Sequence, residues 1–241
     1  MIIKLDAIDS TNDFLKRLST LESLPNFTVV TAETQTSGKG QMGAKWFSEN
    51  SKNMIMSVLI KKISFEPHHV FDINIAVAVA IIEVLKKYQI ANLSLKWPND
   101  IMAGEQKMGG VLIENTIKSN RDLVSIVGIG LNVNQVTFQN LPLAISMKSI
   151  LGVAIDRDFL SEAILNEIKK NIALILDKKV AALWEYYHLN LFKINKTMPF
   201  ETAAGEHFLG IIKGVSDSGK LQILKSDSLF EFGNKEIVMI Y

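Results

Sequence analysis

Hydrophobic and polar positions follow two different rhythms along the chain, and the rhythms divide it. Near the N-terminus Phe14, Leu15, Leu18 and Leu21 recur at helical spacing behind Ser10, with Asp13 three residues after that serine. A helix capped by Ser10 is therefore expected to run to about residue 21, with those four side chains on its inner face. Residues 27–31 and 54–60 are rich in β-branched and apolar side chains and read as strands, the second of them buried. Between them lies a polar, glycine-containing loop over 33–43. From Pro67 to about residue 87 the chain is apolar nearly all round, which predicts a central helix covered by its neighbours.

Two short apolar runs, 93–97 and 111–113, flank a polar connection. Pro98 lacks the N–H a ladder needs, so the first run should stop at Trp97. Asn99 and Asp100 would then stand at a strand end, their side chains free to face a ligand, with Lys107 alone before the pair Gly109-Gly110. The same letters also fit an ordinary hairpin, because Asn-Asp and Gly-Gly are common turn chemistry. Residues 123–133 read as another strand, whose Gly128 and Gly130 suit a close approach by some other group. Asp156 or Asp158 can cap a helix to about residue 177, with Phe159, Ala163, Ile164, Ile168 and Ile172 facing inward, and a shorter helix covers 180–192.

From residue 193 the rhythm shortens. Residues 207–215, 220–225, 229–232 and 236–241 read as short strands between polar turns. The expected architecture is α+β: a main domain over 1–192 and a small β-barrel over 193–241.

Composition narrows the function classes. At 241 residues and 48% hydrophobic content the chain can bury a large core, and its net charge of +1 supplies no basic field for nucleic acid. With no cysteine, disulfides, thiolate nucleophiles and zinc–thiolate sites are all excluded. The first residues carry no signal-peptide pattern, and the most apolar stretch, 70–85, is too short for a bilayer and is broken by Asp72, Asn74 and Glu83. A cytoplasmic protein with no membrane or nucleic-acid partner is expected. The histidines, His68, His69, His188 and His207, have no metal-ligand spacing, and no metal ligands are assigned; His68 and His69 should be solvated in a first helical turn.

Gly38, Gly40 and Gly43 fit G-x-G-x-x-G. A dinucleotide fold would need a helix directly afterwards, whereas Lys45-Trp46-Phe47 and a later strand follow. A P-loop would need lysine where Ala44 stands, and a kinase loop would need H-R-D and D-F-G downstream. Two readings survive: a plain surface loop, or a mobile loop rich in N–H donors that carries Lys39 and Gln41, hinges on Trp46 and closes over an anionic or polar ligand. Gly40 is a candidate for positive φ in the second.

Taken in order, Ser10-Thr11-Asn12, Gln35, the run from Gly38 to Trp46, Lys96-Trp97-Pro98-Asn99-Asp100, Lys107-Met108-Gly109-Gly110 and the segment Gly128 to Asn132 resemble the biotin protein ligases. These enzymes attach biotin to carboxylase carrier domains, and the resemblance covers essentially the whole chain. It implies a mixed sheet with helices like that of class II aminoacyl-tRNA synthetases, and a C-terminal SH3-like barrel. It implies ATP and Mg2+ as a co-substrate complex, biotin as substrate and no tightly bound prosthetic group. The implied partner is the biotin carboxyl carrier domain of a biotin-dependent carboxylase; edge strands that pair or stay capped would give a homodimer or a monomer.

By the same resemblance Ser10, Thr11, Asn12, Gln35 and Gly38, with Lys39, Gly40 and Gln41 of the loop, would meet biotin, as would Lys107 and Gly110. An apolar wall such as 111–113 would take the valeryl chain. Trp46, Asn99, Asp100, Lys107 and Asn132 would meet ATP, with Asp100 near the magnesium-bound phosphates. A carboxylate attacking a phosphate accumulates negative charge, so a fixed cation is the expected catalyst. Lys107 is the candidate, with Lys39 as the second catalytic lysine.

Two departures stand out. Many family members read G-R-G-R where this chain has Lys39 and Gln41, so one charge loses its bidentate fork and the other is gone. Only nine residues precede Ser10, so the form without an N-terminal DNA-binding domain is expected. The alternatives are a lipoate ligase or octanoyl transferase of the same superfamily, or a non-catalytic biotin- or peptide-binding protein.

Overall fold

The computed structural model describes residues 1–64, 70–119, 121–139 and 141–240. Pro67, His68 and His69, on which a helix start and two solvated histidines were expected, lie outside the described residues. Two sheets organise the rest. The larger has seven strands: β1 (Ile2–Ile8), β2 (Val29–Gln35), β3 (Met54–Ser64), β4 (Leu93–Lys96), β5 (Asp100–Ala103), β6 (Gln106–Ile117) and β7 (Asp122–Leu131). Their order across the sheet is β1-β2-β3-β7-β6-β5-β4. The β1–β2 pair is parallel and every other neighbour antiparallel, so the sheet is mixed.

Side chains alternate across this sheet except at its register shifts, and each face has its own cover. On one face Val29, Met54, Met56, Val58, Val127, Ile129 and Leu131 join the main core. Helix α2 (Val70–Lys86) lies there, covered in turn by α4 (Arg157–Leu176) and α5 (Ala181–Leu189). Ile73, Ile75, Val77, Ile81, Ile82 and Leu85 of α2 are fully enclosed, which is why its sequence is apolar nearly all round. Each such side chain contributes about 1.5–3 kcal/mol relative to exposure. The other face holds a smaller cluster, Leu15, Leu24, Val30, Leu59 and Ile126, beneath α1 (Thr11–Leu21).

Ser10 caps α1 as expected, accepting a hydrogen bond from the Asp13 N–H at 3.3 Å. Leu21 does not face inward: it is 81% exposed, because the last turn of α1 overhangs the small cluster. In α4, capped by Asp156, the inner face is Leu160, Ile164, Ile168, Ile172 and Ile175; Phe159, one residue off that stripe, is 67% exposed.

The expected strand over 27–31 is displaced. Phe27 has φ +59° and gives its N–H to Leu59 O, so β2 begins at Val29. It then continues through polar residues to Gln35, because β1, an unexpected edge strand, pairs along it from Ile2↔Val29 to Ile8↔Gln35. Strand β4 stops at Lys96, one residue short of Trp97, and Asp100 opens a new strand, β5, rather than trailing an old one. The short helix α3 (Met147–Leu151) was also not expected.

The second sheet is antiparallel, ordered β11-β10-β9-β8-β12. Its strands are β8 (Thr197–Thr202), β9 (His207–Val215), β10 (Leu221–Lys225), β11 (Ser228–Phe232) and β12 (Ile237–Met239), of which β8 was not anticipated. It is tied to the turn after β4 and to α5. The Trp97 indole N–H donates to Gly219 O at 2.9 Å, and His188 Nε2 accepts from the Val215 N–H at 3.1 Å. His188 is thus a structural residue.

Candidate functional site

The face of the large sheet beneath α1 carries a trough, and glycines make it. One row of paired residues crosses four strands as Ile55, Gly130, Gly110 and Asp100; the next runs Ser57, Gly128 and Leu112. Four side chains occupy the space the glycines leave. A Cβ on Gly128 would stand 2.4 Å from Asn12 Oδ1, and one on Gly130 would stand 2.6 Å from the Trp46 indole. At Gly110 the neighbours are Lys107 Nζ at 3.6 Å and Asp100 Oδ1 at 3.7 Å. Gly109 faces the opposite way, where a Cβ would strike Leu131 and Gly130 O at 2.6 Å. The two adjacent glycines therefore serve different faces: Gly109 closes the core and Gly110 opens the trough.

Lys107 reaches the trough through a bulge. Simple alternation would put Met108 on the same face as Gly110 and send Lys107 into the core. The β5–β6 register shifts instead between Ile101 and Met102, where Ile101 pairs with Gly109 and Met102 with Lys107. Met108 is left fully buried in the main core, and Lys107 turns outward, the re-aiming that bulges commonly perform. The Lys107 backbone is held further by donation to Leu143 O at 2.6 Å and by Ile145 N–H donation to its carbonyl at 3.0 Å. Its ammonium pairs with Asp100 Oδ1 at 2.5 Å.

The polar end of the trough is built on the first turn of α1. The Thr11 N–H and hydroxyl both donate to Gln35 Oε1, at 2.7 and 3.0 Å. Ser57 Oγ donates towards Thr11 Oγ1 and Asn12 Oδ1 at 2.8 and 2.6 Å. The loop leaving β2 folds over this end. A Lys39–Lys45 bridge pinches it, Gly40 N–H meets Ala44 O at 2.7 Å, and Trp46 N–H meets Gly38 O at 2.9 Å. Gly40 has φ −111°, so its expected positive φ is not found; the left-handed residues of the loop are Met42 and Gly43. Lys39 Nζ pairs with Asp13 Oδ2 at 2.6 Å, and that hydrogen bond holds the lysine pKa above its ordinary value.

Together these groups enclose an open cavity of about 270 Å³. Of the residues assigned from sequence, Ser10, Thr11, Asn12, Gln35, Lys39, Gly40, Gln41, Trp46, Asn99, Asp100, Lys107 and Gly110 all line it. Two do not. Gly38 is packed against Trp46 O and Gln35 at the loop's base. Asn132, only 5% exposed, sits behind Lys107 and donates to Ile145 O at 3.2 Å. Asn99 reaches the wall but uses its amide N–H on Val111 O at 2.8 Å, bracing the turn between β4 and β5.

Sequence reasoning missed Ile55, Met42, Ala44, Asn234 and Lys235, which also line the cavity. The strict alternation of β3 could have supplied Ile55. Nothing local marks Asn234 and Lys235, nearly two hundred residues from the loop they meet. Four lysines (Lys39, Lys45, Lys107 and Lys235) surround the cavity against one carboxylate, Asp100, so it favours an anionic ligand. The buried Trp46 indole N–H has no partner among the described residues. Among them, too, no three histidine, aspartate or glutamate side chains gather as a metal-binding group.

A mixed sheet with a lysine aimed into a glycine-floored cavity suits a ligand that carries or develops negative charge beside that lysine. The model of the biotin/lipoate A/B protein ligase family matches residues 5–134, and the chain belongs to that family. Among curated relatives, the bifunctional ligase/repressor BirA of Escherichia coli is 28% identical over 242 residues, spanning 94% of this chain and 70% of that protein. The biotin–[acetyl-CoA-carboxylase] ligase of Mycobacterium tuberculosis is 27% identical over 216 residues, spanning 88% and 79%. Among solved structures, the biotin protein ligase from Aquifex aeolicus in complex with biotin and ATP superposes with a TM-score of 0.82 at 26% identity, covering 99% of this chain and 98% of that one.

Proposed function

We propose that this chain is an ATP-dependent biotin protein ligase, forming biotinyl-5'-AMP and passing the biotinyl group to a lysine of a biotin carboxyl carrier domain. The observation that carries the reading is the bulge-directed Lys107. It stands beside Asp100 at the Gly110 end of a trough whose Gly128 end is a neutral polar cluster. In the first step a biotin carboxylate oxygen bonds to the α-phosphorus of ATP and pyrophosphate leaves. Lys107 offsets the charge that builds on the phosphoryl oxygens. In the second, the acceptor amine attacks the carbonyl carbon, AMP leaves and the amine loses a proton.

The ureido ring of biotin is polar and uncharged, matching the Ser10–Thr11–Gln35 end. Leu112 and Ile55, on the trough face, offer apolar surface for the valeryl chain; Ile113 does not line the cavity. Trp46 and Asn99 fit the nucleotide side, and Asn132 supports Lys107 from behind. The single carboxylate Asp100 fits a magnesium ion delivered on nucleotide phosphates, which would neutralise part of their charge. The loop around 38–46 is read as a lid that keeps water from the reactive anhydride. The proposed division is into 1–192, which supplies most of this site, and 193–241, which adds Asn234 and Lys235 to its lining. No described helix is long and apolar enough to cross a membrane. ATP and carrier domains share the cytoplasm, the compartment proposed for the reaction.

Pyrophosphate release with biotin, lipoate, octanoate or no acid tests the reading, followed by transfer to a purified carrier domain. Release is expected with biotin alone. Release driven by lipoate and not by biotin would transfer the chain to the lipoate branch of the family.

A further inference from the structure

The tip of the 38–46 loop is held from outside its own domain. Beyond the loop's internal turn, the hydrogen bonds to Gln41 and Met42 among the described residues come from the turn between β11 and β12. Asn234 Nδ2 donates to Gln41 Oε1 at 3.0 Å and Lys235 Nζ to Met42 O at 3.4 Å. That turn is itself braced. Gly233 N–H donates to Glu236 Oε2 at 2.6 Å, Glu236 N–H to Gly233 O at 3.1 Å, and Ala203 N–H to Glu236 O at 3.0 Å. The sheet behind it is fixed to the turn after β4 through Trp97–Gly219 and to α5 through His188–Val215. A rigid turn thus meets a loop whose tip contains two consecutive left-handed residues, Met42 at φ +53° and Gly43 at +84°.

We propose that Asn234 and Lys235 are positioning residues that clasp the loop tip over the cavity, so that the C-terminal sheet sets how long the acyl-adenylate is retained. The ligand side of this inference rests on the biotin-ligase reading above; the clasp itself does not. Lys107 is the cation assigned to charge development at phosphorus, whereas Asn234 and Lys235 donate to the loop tip. Their removal should therefore act on escape of the intermediate more than on its formation. The pairing is also specific: Gln41 accepts from Asn234, so removing either partner forfeits the same bond.

The test uses the full chain with Asn234→Ala, Lys235→Met, Gln41→Ala and the Gln41→Ala/Asn234→Ala pair. In the ligand-free protein, trypsin cleavage after Lys39 and Lys45 should quicken three- to tenfold while the melting temperature stays put. With biotin and ATP, adenylate escape into a trap should rise three- to tenfold and exceed any slowing of adenylate formation. The double variant should be no worse than the worse single one. Unchanged cleavage in all variants overturns the clasp, as does equal loss of formation and retention. If the wild type forms no biotinyl-adenylate, the functional reading fails by itself, and the cleavage rates still decide whether the clasp exists.

Discussion

At the scale of single residues, Lys107 shows how a strand irregularity can place a charge. Truncating it to alanine should slow single-turnover adenylate formation roughly a hundred- to a thousandfold, on the order of 3–4 kcal/mol of transition-state stabilisation. The melting curve should barely move, since its side chain is 40% exposed and supports no core. Formation within a few-fold of wild type would reduce it to a structural residue of β6. Gly109→Ala should do the reverse. Its Cβ has backbone 2.6 Å away at Gly130 O, so about 1–3 kcal/mol of stability should be lost to overpacking, measured by urea denaturation. The chemistry of these positions was legible in the sequence: lysine, glycine pair, aspartate. Their opposite facing was not, because a bulge leaves no mark in a local pattern.

Among the elements, the loop after β2 and the helix α2 make separable claims. Lys39 anchors the loop to Asp13 at the start of α1. Lys39→Ala should let the acyl-adenylate escape faster than it slows its formation, and escaped anhydride acylates any amine. Incubation with biotin, ATP and albumin followed by a biotin blot should show stronger labelling of the albumin than wild type gives. Slower formation with unchanged labelling would assign the loop to ground-state binding instead.

In α2, burial pushes the Glu83 carboxyl above its usual value, with Glu167 adding to the effect. The fold then binds a proton more tightly than the unfolded chain does. Stability contributed by the protonated form is present at low pH and declines as pH rises from about 4 through the raised pKa. Glu83→Gln should therefore raise the melting temperature at pH 7, with the gain fading below about pH 4. The apolar stripe of α2 and the cap of α1 were readable because periodicity and capping are local. The edge strand β1 was not, since its pairing partner lies some twenty-seven residues away and decides its state. Phe27 misled for a related reason: its β-forming side chain sits on a left-handed backbone.

For the whole molecule, the cavity is assembled from the start of α1, the 38–46 loop, the β5–β6 hairpin, β7 and the turn after β11. A ligand that bridges those pieces stabilises the fold by mass action. Biotin and ATP together should raise the melting temperature by more than the sum of the two separate shifts, because the enclosed adenylate bridges both ends of the trough. Additive shifts would indicate two independent sites. Motif order along the chain was enough to anticipate most of this assembly. The contribution of the C-terminal sheet was invisible, because Asn234 and Lys235 belong to a turn like any other in sequence.

The seating of Trp46 has an optical consequence. The chain has three tryptophans. Trp97 and Trp184 already give their indole N–H groups to Gly219 O and Asp72, at 2.9 and 2.7 Å. Trp46 alone lies over the trough, on Gly130, with its N–H unpartnered among the described residues. With phenylalanine at 97 and 184, the molecule would carry one fluorophore, placed where loop and ligand meet. Its emission wavelength and quenching would then follow loop closure in real time, with no dye attached.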